Sequence, residues 1–409
     1  MKVLLINDYA TQTGGAELLT LALRKGLRAR GHDARLFASS ARPLGVPSLA
    51  DYDCLGTLSR FRILLQTFNP WAWFKLRRAL ADFQPDVVHV TIALTQLSPL
   101  IFPLLKDIPA VYNAQWYRTI CPKGTKVLPG GKDCQHPAGF ACHRQRCLPL
   151  QDWILLTIQM SLVKRWIKVF DKIVAASEAV KNRLLAEGIE EPVEVIWNGT
   201  PGRDRCQTLS SLPTIVFAGR LVREKGVDVL LHALAAIKDR LPDVKLLVAG
   251  EGIERSSLER LAVELEVGDR VSFLGHLERS DLEALFEQAW VQVIPSRWAE
   301  PFGLVAAEAS MRGTAIIASE VGGLAEIVFP GQTGFLVPPN NPDALAEKLL
   351  DVLSNYGLAQ KLGKQGKDIA IRKLSETAFV ENFLAVYQSL LVRKAPDESF
   401  ELALDARHI

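Results

Sequence analysis

The sequence predicts two α/β units, each a Rossmann-like doubly wound parallel sheet, joined by a short linker. Three observations point there. Apolar runs of four or five residues alternate with amphipathic helical stretches. Glycine-containing turns separate strand from helix at several of these junctions. The chain has 409 residues, more than one core usually serves, so two units is the plainest division.

The first unit, residues 1–200, opens with a buried-strand run, Val3 to Ile6. The turn Thr13-Gly14-Gly15-Ala16-Glu17 follows, then a helical run from Leu18 to Arg30 stopped by Gly31. A strand at Ala34–Ala38 completes a β-turn-α-β order, which requires a parallel pair. Further strand-like runs stand at Val87–Val90, Ala110–Tyr112, Lys172–Ala175 and Val193–Ile196. Residues 201–213 are polar, carry Pro and Gly and show no apolar period, so they are read as a linker.

The second unit, residues 214–375, repeats the alternation. Strands are expected at 214–218, 244–249, 271–274, 291–294, 315–318 and 334–337. Helices are expected at 227–238, 258–265, 282–288 and 304–312, with more after Pro342. The segment 376–394 is helical again, with Ala378, Phe379, Phe383, Val386 and Tyr387 on one face. That face needs a partner; it could cap the second unit, and the expectation is that the helix crosses back onto the first.

Charge is uneven. Residues 1–200 hold 25 Lys and Arg against 16 Asp and Glu, whereas the remainder holds 23 against 29. The basic half suits an anionic substrate or a membrane surface. It has no recognisable nucleic-acid platform, so nucleic acid is not an expected partner. The apolar run at the N-terminus is broken by Asn7-Asp8, and the longest uncharged stretch, Val87–Leu105, contains two prolines and a histidine. Neither resembles a signal peptide or a spanning helix, so a cytoplasmic location is expected. Two stretches mix aromatic with basic residues: Phe61–Leu80 and Trp153–Phe170. Each fits a bilayer interface or a core helix with snorkelling cations, and peripheral association with the inner face of the plasma membrane follows from the first reading.

Four cysteines, Cys121, Cys134, Cys142 and Cys147, fall in the segment 113–150. They admit a structural zinc site, disulfides or free thiols, and the absence of a C-x2-C pair speaks against zinc.

The chemistry-bearing patterns lie mostly in the second unit. Gly219-Arg220 to Lys225-Gly226 places cations on a glycine-flanked turn after a strand. An arginine fork and a mobile lysine suit a diphosphate; the alternative is a solvated loop. Glu300-Pro301-Phe302-Gly303-Leu304 opens a helix whose free N–H groups favour an anion. Glu308 then stands on an apolar helix and needs a partner: a ribose diol or a nearby arginine.

Together with Gly250-Glu251-Gly252, Val321-Gly322-Gly323…Glu326-Ile327-Val328 and Gly331-Gln332-Thr333-Gly334, this ordered set resembles the retaining GT-B glycosyltransferases, specifically glycosyltransferase family 4. The resemblance implies two Rossmann-like domains facing a central cleft. It also implies transfer of a sugar from a nucleotide-diphosphate sugar to a hydroxyl acceptor with retention, with no metal or other cofactor. By resemblance, Arg220 and Lys225 would hold the diphosphate, Glu308 the ribose and Glu300 the sugar. Gly14, Gly15, Gly303 and Leu304 would approach the donor. The family's histidines near the sugar correspond to His89 and to the position of Asn113; Thr91 and Asn113 depart from its pattern. A glycan or lipid-linked acceptor is the expected partner, since similar cysteine loops occur in polysaccharide-building relatives. These departures leave a second function open, a non-catalytic nucleotide-sugar-binding subunit.

Overall fold

In the computed structural model, residues 1–43, 45–202 and 208–394 are described, so much of the linker's first half (203–207) lies outside the described residues. The first seven strands are β1 (Lys2–Asn7), β2 (Asp33–Ser39), β3 (Tyr52–Cys54), β4 (Val87–Ile92), β5 (Ala110–Ala114), β6 (Lys172–Ala175) and β7 (Val193–Val195). They form one sheet in the order β3-β2-β1-β4-β5-β6-β7, parallel throughout. The next six are β8 (Thr214–Ala218), β9 (Lys245–Ala249), β10 (Val271–Gly275), β11 (Val291–Ile294), β12 (Ala315–Ser319) and β13 (Gly334–Val337). They form a second parallel sheet, β10-β9-β8-β11-β12-β13. The expected doubly wound class is therefore observed twice. The three-residue β3 was not anticipated; Tyr52-Asp53-Cys54 is too short and polar to show a period.

The strand order reverses between β1 and β4 in one sheet and between β8 and β11 in the other. Connections on either side of such a point leave by opposite faces, which opens a crevice beyond the carboxyl ends of the strands. The Gly14-Gly15 turn follows β1, the Arg220–Lys225 turn follows β8, and the Glu300 loop follows β11. Fold topology alone thus gathers three of the sequence patterns at crevices.

Local sequence explains the helices. Asn69 caps the helix Pro70–Phe83, its side chain accepting from Ala72 N–H, with Pro70 in the first turn. Ser177 caps Glu178–Ala186 in the same way through Val180 N–H, and Asn341 caps Pro342–Leu353 through Ala344 N–H.

Three cores account for most of the buried apolar surface. One fills the second unit around Ile215, Leu230, Val248 and Leu349. One lies on the face of the first sheet covered by the helices Pro70–Phe83 and Leu150–Trp166. The third joins Leu19, Leu23 and Leu27 of the helix Gly15–Ala29 to Phe379, Phe383, Val386, Tyr387 and Leu390 of the helix Glu376–Lys394. The last helix therefore packs on the first unit although it follows the second. Its crossing point is tied by backbone hydrogen bonds, Thr200 N–H to Leu374 O (2.7 Å) and Glu376 N–H to Thr200 O (3.3 Å).

Candidate nucleotide-sugar site

The loop after β11 is the centre of the arrangement. Lys225 Nζ donates to Glu300 Oε1 at 2.8 Å, and Ser296 Oγ donates to the same oxygen. Glu300 is 5% exposed, so its charge is held in a low-dielectric setting by one lysine and one hydroxyl. Lys225 also lies 6.0 Å from the Trp298 ring centroid, and the Trp298 indole N–H is buried with no partner among the described residues.

Gly303 ends this loop at φ +93°, in the left-handed region, and starts the helix Leu304–Arg312. A side chain there would meet Leu324 as well as adopt an unfavourable backbone, which explains glycine at this position. Glu308 sits one turn into that helix. Arg312 approaches it at 3.8 Å but is gripped at 2.8 Å through two nitrogens by Glu283. Glu308 is thus a weakly paired carboxylate, facing a cavity of about 550 Å³ lined also by Gln12, Gly15, Arg24, Thr200 and Leu304. The buried Thr200 hydroxyl on this wall has no hydrogen-bond partner among the described residues.

Gly15 touches the second unit directly. A Cβ there would come 2.7 Å from Leu304 Cδ1, so glycine permits the two units to close at this point. Behind it, Glu17 is pushed to a higher pKa mainly by burial, with the charge of Asp8 adding to the effect. Asp8 is fully buried at the end of β1. Its carboxylate accepts from the N–H groups of Thr95 (2.7 Å), Gln96 (2.8 Å) and Leu97 (2.9 Å), which fixes the loop after β4. Burial nonetheless raises its pKa.

Arg220 is exposed, and its side chain has no ion-pair partner among the described residues. It lines a second cavity of about 290 Å³ with Gly250, Glu251, His276 and Leu277. This cavity lies at the carboxyl ends of β8, β9 and β10. His276 and Leu277 were not singled out from sequence; they follow β10 without any motif, and only sheet order brings them beside Arg220.

Two expected contacts need correction. His89 is fully buried in the middle of β4 and does not face the cleft. Strand alternation sends Val88 and Val90 to one face and His89 to the other, the face covered by the last helix. There Nδ1 meets the Tyr387 hydroxyl at 2.7 Å, Nε2 meets Asn113 Nδ2 at 3.4 Å, and the ring packs edge-on to Phe383. Burial lowers its pKa to about 3, so the ring is neutral. Asn113 shares this face and is 2% exposed, its carbonyl accepting from Gln115 at 2.9 Å. Gln115 in turn exchanges two hydrogen bonds with Asn198 (2.9 and 2.8 Å). Neither His89 nor Asn113 presents a free polar group to the cleft in this arrangement.

The four cysteines of the 113–150 segment do converge. Cys121, Cys134, Cys142 and Cys147 line one void of about 20 Å³, and all four are free thiols. Burial raises the pKa of Cys142 and Cys147, followed by the proximity of the other thiols. Among the described residues no group of three or more His, Cys, Asp or Glu is arranged to hold a metal ion.

Contacts between the units were missed from sequence. Tyr117 donates to Ala299 O (3.1 Å), and Ser177 Oγ donates to Pro301 O (2.5 Å), so the first unit holds the loop on both sides of Glu300. Glu326 accepts from the N–H groups of Glu178 (2.9 Å) and Ala179 (2.8 Å), a carboxylate on a helix N-terminus. Gly323 N–H donates to Glu300 O (2.8 Å), which joins the Glu326 segment to the same loop. The only sequence signal was Glu326 within its glycine motif.

Comparison with known proteins follows the same division. The family described as Glycosyltransferase Family 4 matches residues 13–201, and the family described as Glycosyl transferases group 1 matches residues 207–369. An uncharacterised glycosyltransferase of Methanocaldococcus jannaschii is 38% identical over 42% of this chain and 44% of its own length. The chain spans about half the length of the curated relatives it matches first. Sucrose-phosphate synthase from Thermosynechococcus elongatus has the same fold, with a TM-score of 0.74 at 22% identity over 96% of this chain and 100% of that one. Anabaena Alr3699/HepE, solved in complex with UDP and glucose, superposes with a TM-score of 0.67 at 20% identity, covering 95% of this chain and 100% of that one. With one family matched in each unit, in order, and the two facing sheets of the GT-B fold, the chain belongs to the group 1, family 4 glycosyltransferases.

Proposed function

We propose that the chain is a retaining glycosyltransferase that moves a sugar from a nucleotide-diphosphate sugar to a hydroxyl on a glycan or lipid-linked acceptor. The observation that carries the reading is the Lys225–Glu300 pair beside the Gly303 helix start, at the strand-order switch of the second sheet. In this reading the helix N–H groups and Lys225 take the diphosphate, and Arg220 adds a second cation from the neighbouring turn. Charge accumulates on the diphosphate as the anomeric bond breaks, so fixed cations matter most in the transition state. These side chains supply that charge without a metal. Glu308 binds the ribose hydroxyls, and Glu300 lies beside the sugar. The UDP and glucose held by the Anabaena neighbour support a uridine diphosphate donor.

A thermal-shift panel of UDP, GDP, ADP and CMP tests the donor. One diphosphate should raise the melting temperature, since a ligand at a hundredfold excess over Kd adds about 2.7 kcal/mol. Glu308→Ala should weaken that nucleotide about tenfold or more with the fold intact. An equal response to all four, or none, would remove the donor assignment. The anomeric configuration of the product, read by NMR, tests retention.

The burial of His89 and Asn113 favours one second reading, a subunit that binds nucleotide sugar without transferring it. Turnover separates the two: a protein that binds donor yet neither hydrolyses nor transfers it is the subunit.

A further inference from the structure

The two aromatic-basic stretches of the first unit form one surface. Gln66 and Thr67, at the end of the helix Arg62–Thr67, lie against the helix Leu150–Trp166, with Thr67 Oγ1 donating to Leu155 O at 3.4 Å and Gln159 donating to Gln66 O. The inward faces of the neighbouring helices are complete: Ala72, Leu76, Ala79 and Phe83 are buried, as are Leu156 and Val163. The outward faces are apolar too. Phe61 is 58% exposed, Trp71 52% and Phe74 65%, and Leu64, Ile154 and Ile158 are exposed beside them. Folding does not account for apolar side chains on the solvent side of helices whose cores are already filled.

Charge says what this face fits. Residues 55–81 contain five Lys and Arg and no Asp or Glu. The second stretch, Trp153–Phe170, adds Lys164, Arg165 and Lys168 and contains no Asp or Glu, although Lys168 pairs with Glu190 at 3.7 Å. Lys75, Arg77, Arg78, Lys164 and Arg165 are exposed, and Arg77 lies 5.5 Å from the Trp73 ring centroid. Aromatic and aliphatic side chains ringed by cations match the headgroup layer of an anionic bilayer. No described helix is long and apolar enough to cross one.

Position says what it would serve. β3 ends at Cys54, and the helix Pro70–Phe83 returns the chain to the start of β4. Residues 55–74 therefore lie at the carboxyl ends of the strands, the end at which the cleft opens.

We propose that this face docks on an anionic lipid bilayer, with Phe61, Trp71 and Phe74 at headgroup depth and the surrounding cations on lipid phosphates. Bringing a lipid-borne acceptor to the cleft is the use this implies, and that use rests on the transferase reading above. Docking itself does not.

The full chain is sedimented with vesicles of phosphatidylcholine, and with vesicles of phosphatidylcholine and phosphatidylglycerol in equal parts. Binding to the anionic vesicles should be about tenfold tighter or more, and should weaken as salt is raised. The triple variant F61S/W71S/F74S should lose about tenfold on the anionic vesicles while keeping its melting temperature and its nucleotide affinity. R77E/R78E, made separately, should lose the preference for anionic lipid. The proposal is overturned if the wild-type chain stays in the supernatant, or if both variants bind as it does. It is overturned equally if the wild-type chain forms a dimer that the triple variant abolishes, because a second copy is then the occupant. Docking without any nucleotide binding would sink the transferase reading and leave the surface standing.

Discussion

Arg220 and Lys225 carry the same charge but sit in different settings, and their variants should differ accordingly. Arg220 is exposed and its side chain has no ion-pair partner among the described residues, so Arg220→Ala should leave stability within about 0.5 kcal/mol. If it stabilises charge in the transition state, kcat should fall by about a hundredfold to a thousandfold. Lys225→Ala should lose rate and stability together, because it strands the buried Glu300 carboxylate. Comparing kcat with urea midpoints for the two variants checks this; equal stability losses would refute the asymmetry. His89 gives a pH prediction. Its folded pKa of about 3 lies below the usual histidine value of 6.5, so the unfolded chain takes a proton the folded chain refuses. The stability this reflects is complete above about pH 6.5 and is lost as pH falls, by up to about 1.4 kcal/mol per pH unit. His89→Gln should flatten the slope of urea stability between pH 7 and pH 4 by close to one proton (about 1 by linkage). Parallel slopes would mean that the ring titrates normally in the fold.

At the scale of elements, the loop-to-helix junction at Gly303 shows how one backbone position shapes the site. Its φ of +93° is costly for any side chain, and a Cβ would press on Leu324. Gly303→Ala should cost about 1–3 kcal/mol in urea unfolding. It should also weaken nucleotide binding, since the helix N-terminus shifts; unchanged affinity would place the diphosphate elsewhere. The helix Glu376–Lys394 shows how an element and the unit it crosses to can be expected while its individual contacts are not. The apolar face was readable from spacing, and Phe379, Phe383, Val386 and Tyr387 are all buried. That it covers the first sheet, and meets His89 through Tyr387, depends on a chain crossing at Thr200 and Leu374 that no local pattern encodes.

At the scale of the molecule, several hydrogen bonds between the two units gather at the Glu300 loop and the Glu326 segment joined to it, and Gly15 meets Leu304 as well. The carboxylate of Glu326 on the helix Glu178–Ala186 is the strongest of them by charge, while Tyr117 and Ser177 hold the loop itself. Charge-assisted hydrogen bonds contribute about 1.5–3 kcal/mol each before solvent screening. Glu326→Ala should therefore shift the open-closed balance about tenfold toward open. A larger radius of gyration in solution scattering with nucleotide bound, together with changes in both kcat and KM, would register this. An unchanged radius and unchanged kinetics would mean that closure does not depend on the latch.

Local pattern was enough for the α/β alternation, the positions of most strands, the glycine turns and the Glu300–Glu308 motif, because periodicity and turn chemistry are properties of neighbouring residues. The family resemblance drew on the same local motifs. Which groups would share a site was decided by tertiary structure. Sheet order set His276 beside Arg220, and the closure of the units set Gly15 against Leu304. The crossing helix covers His89 through Tyr387, and Asn113 is buried beside that ring. Each of these joins residues far apart in the chain, and burial is fixed by whatever covers a face rather than by the residues that form it.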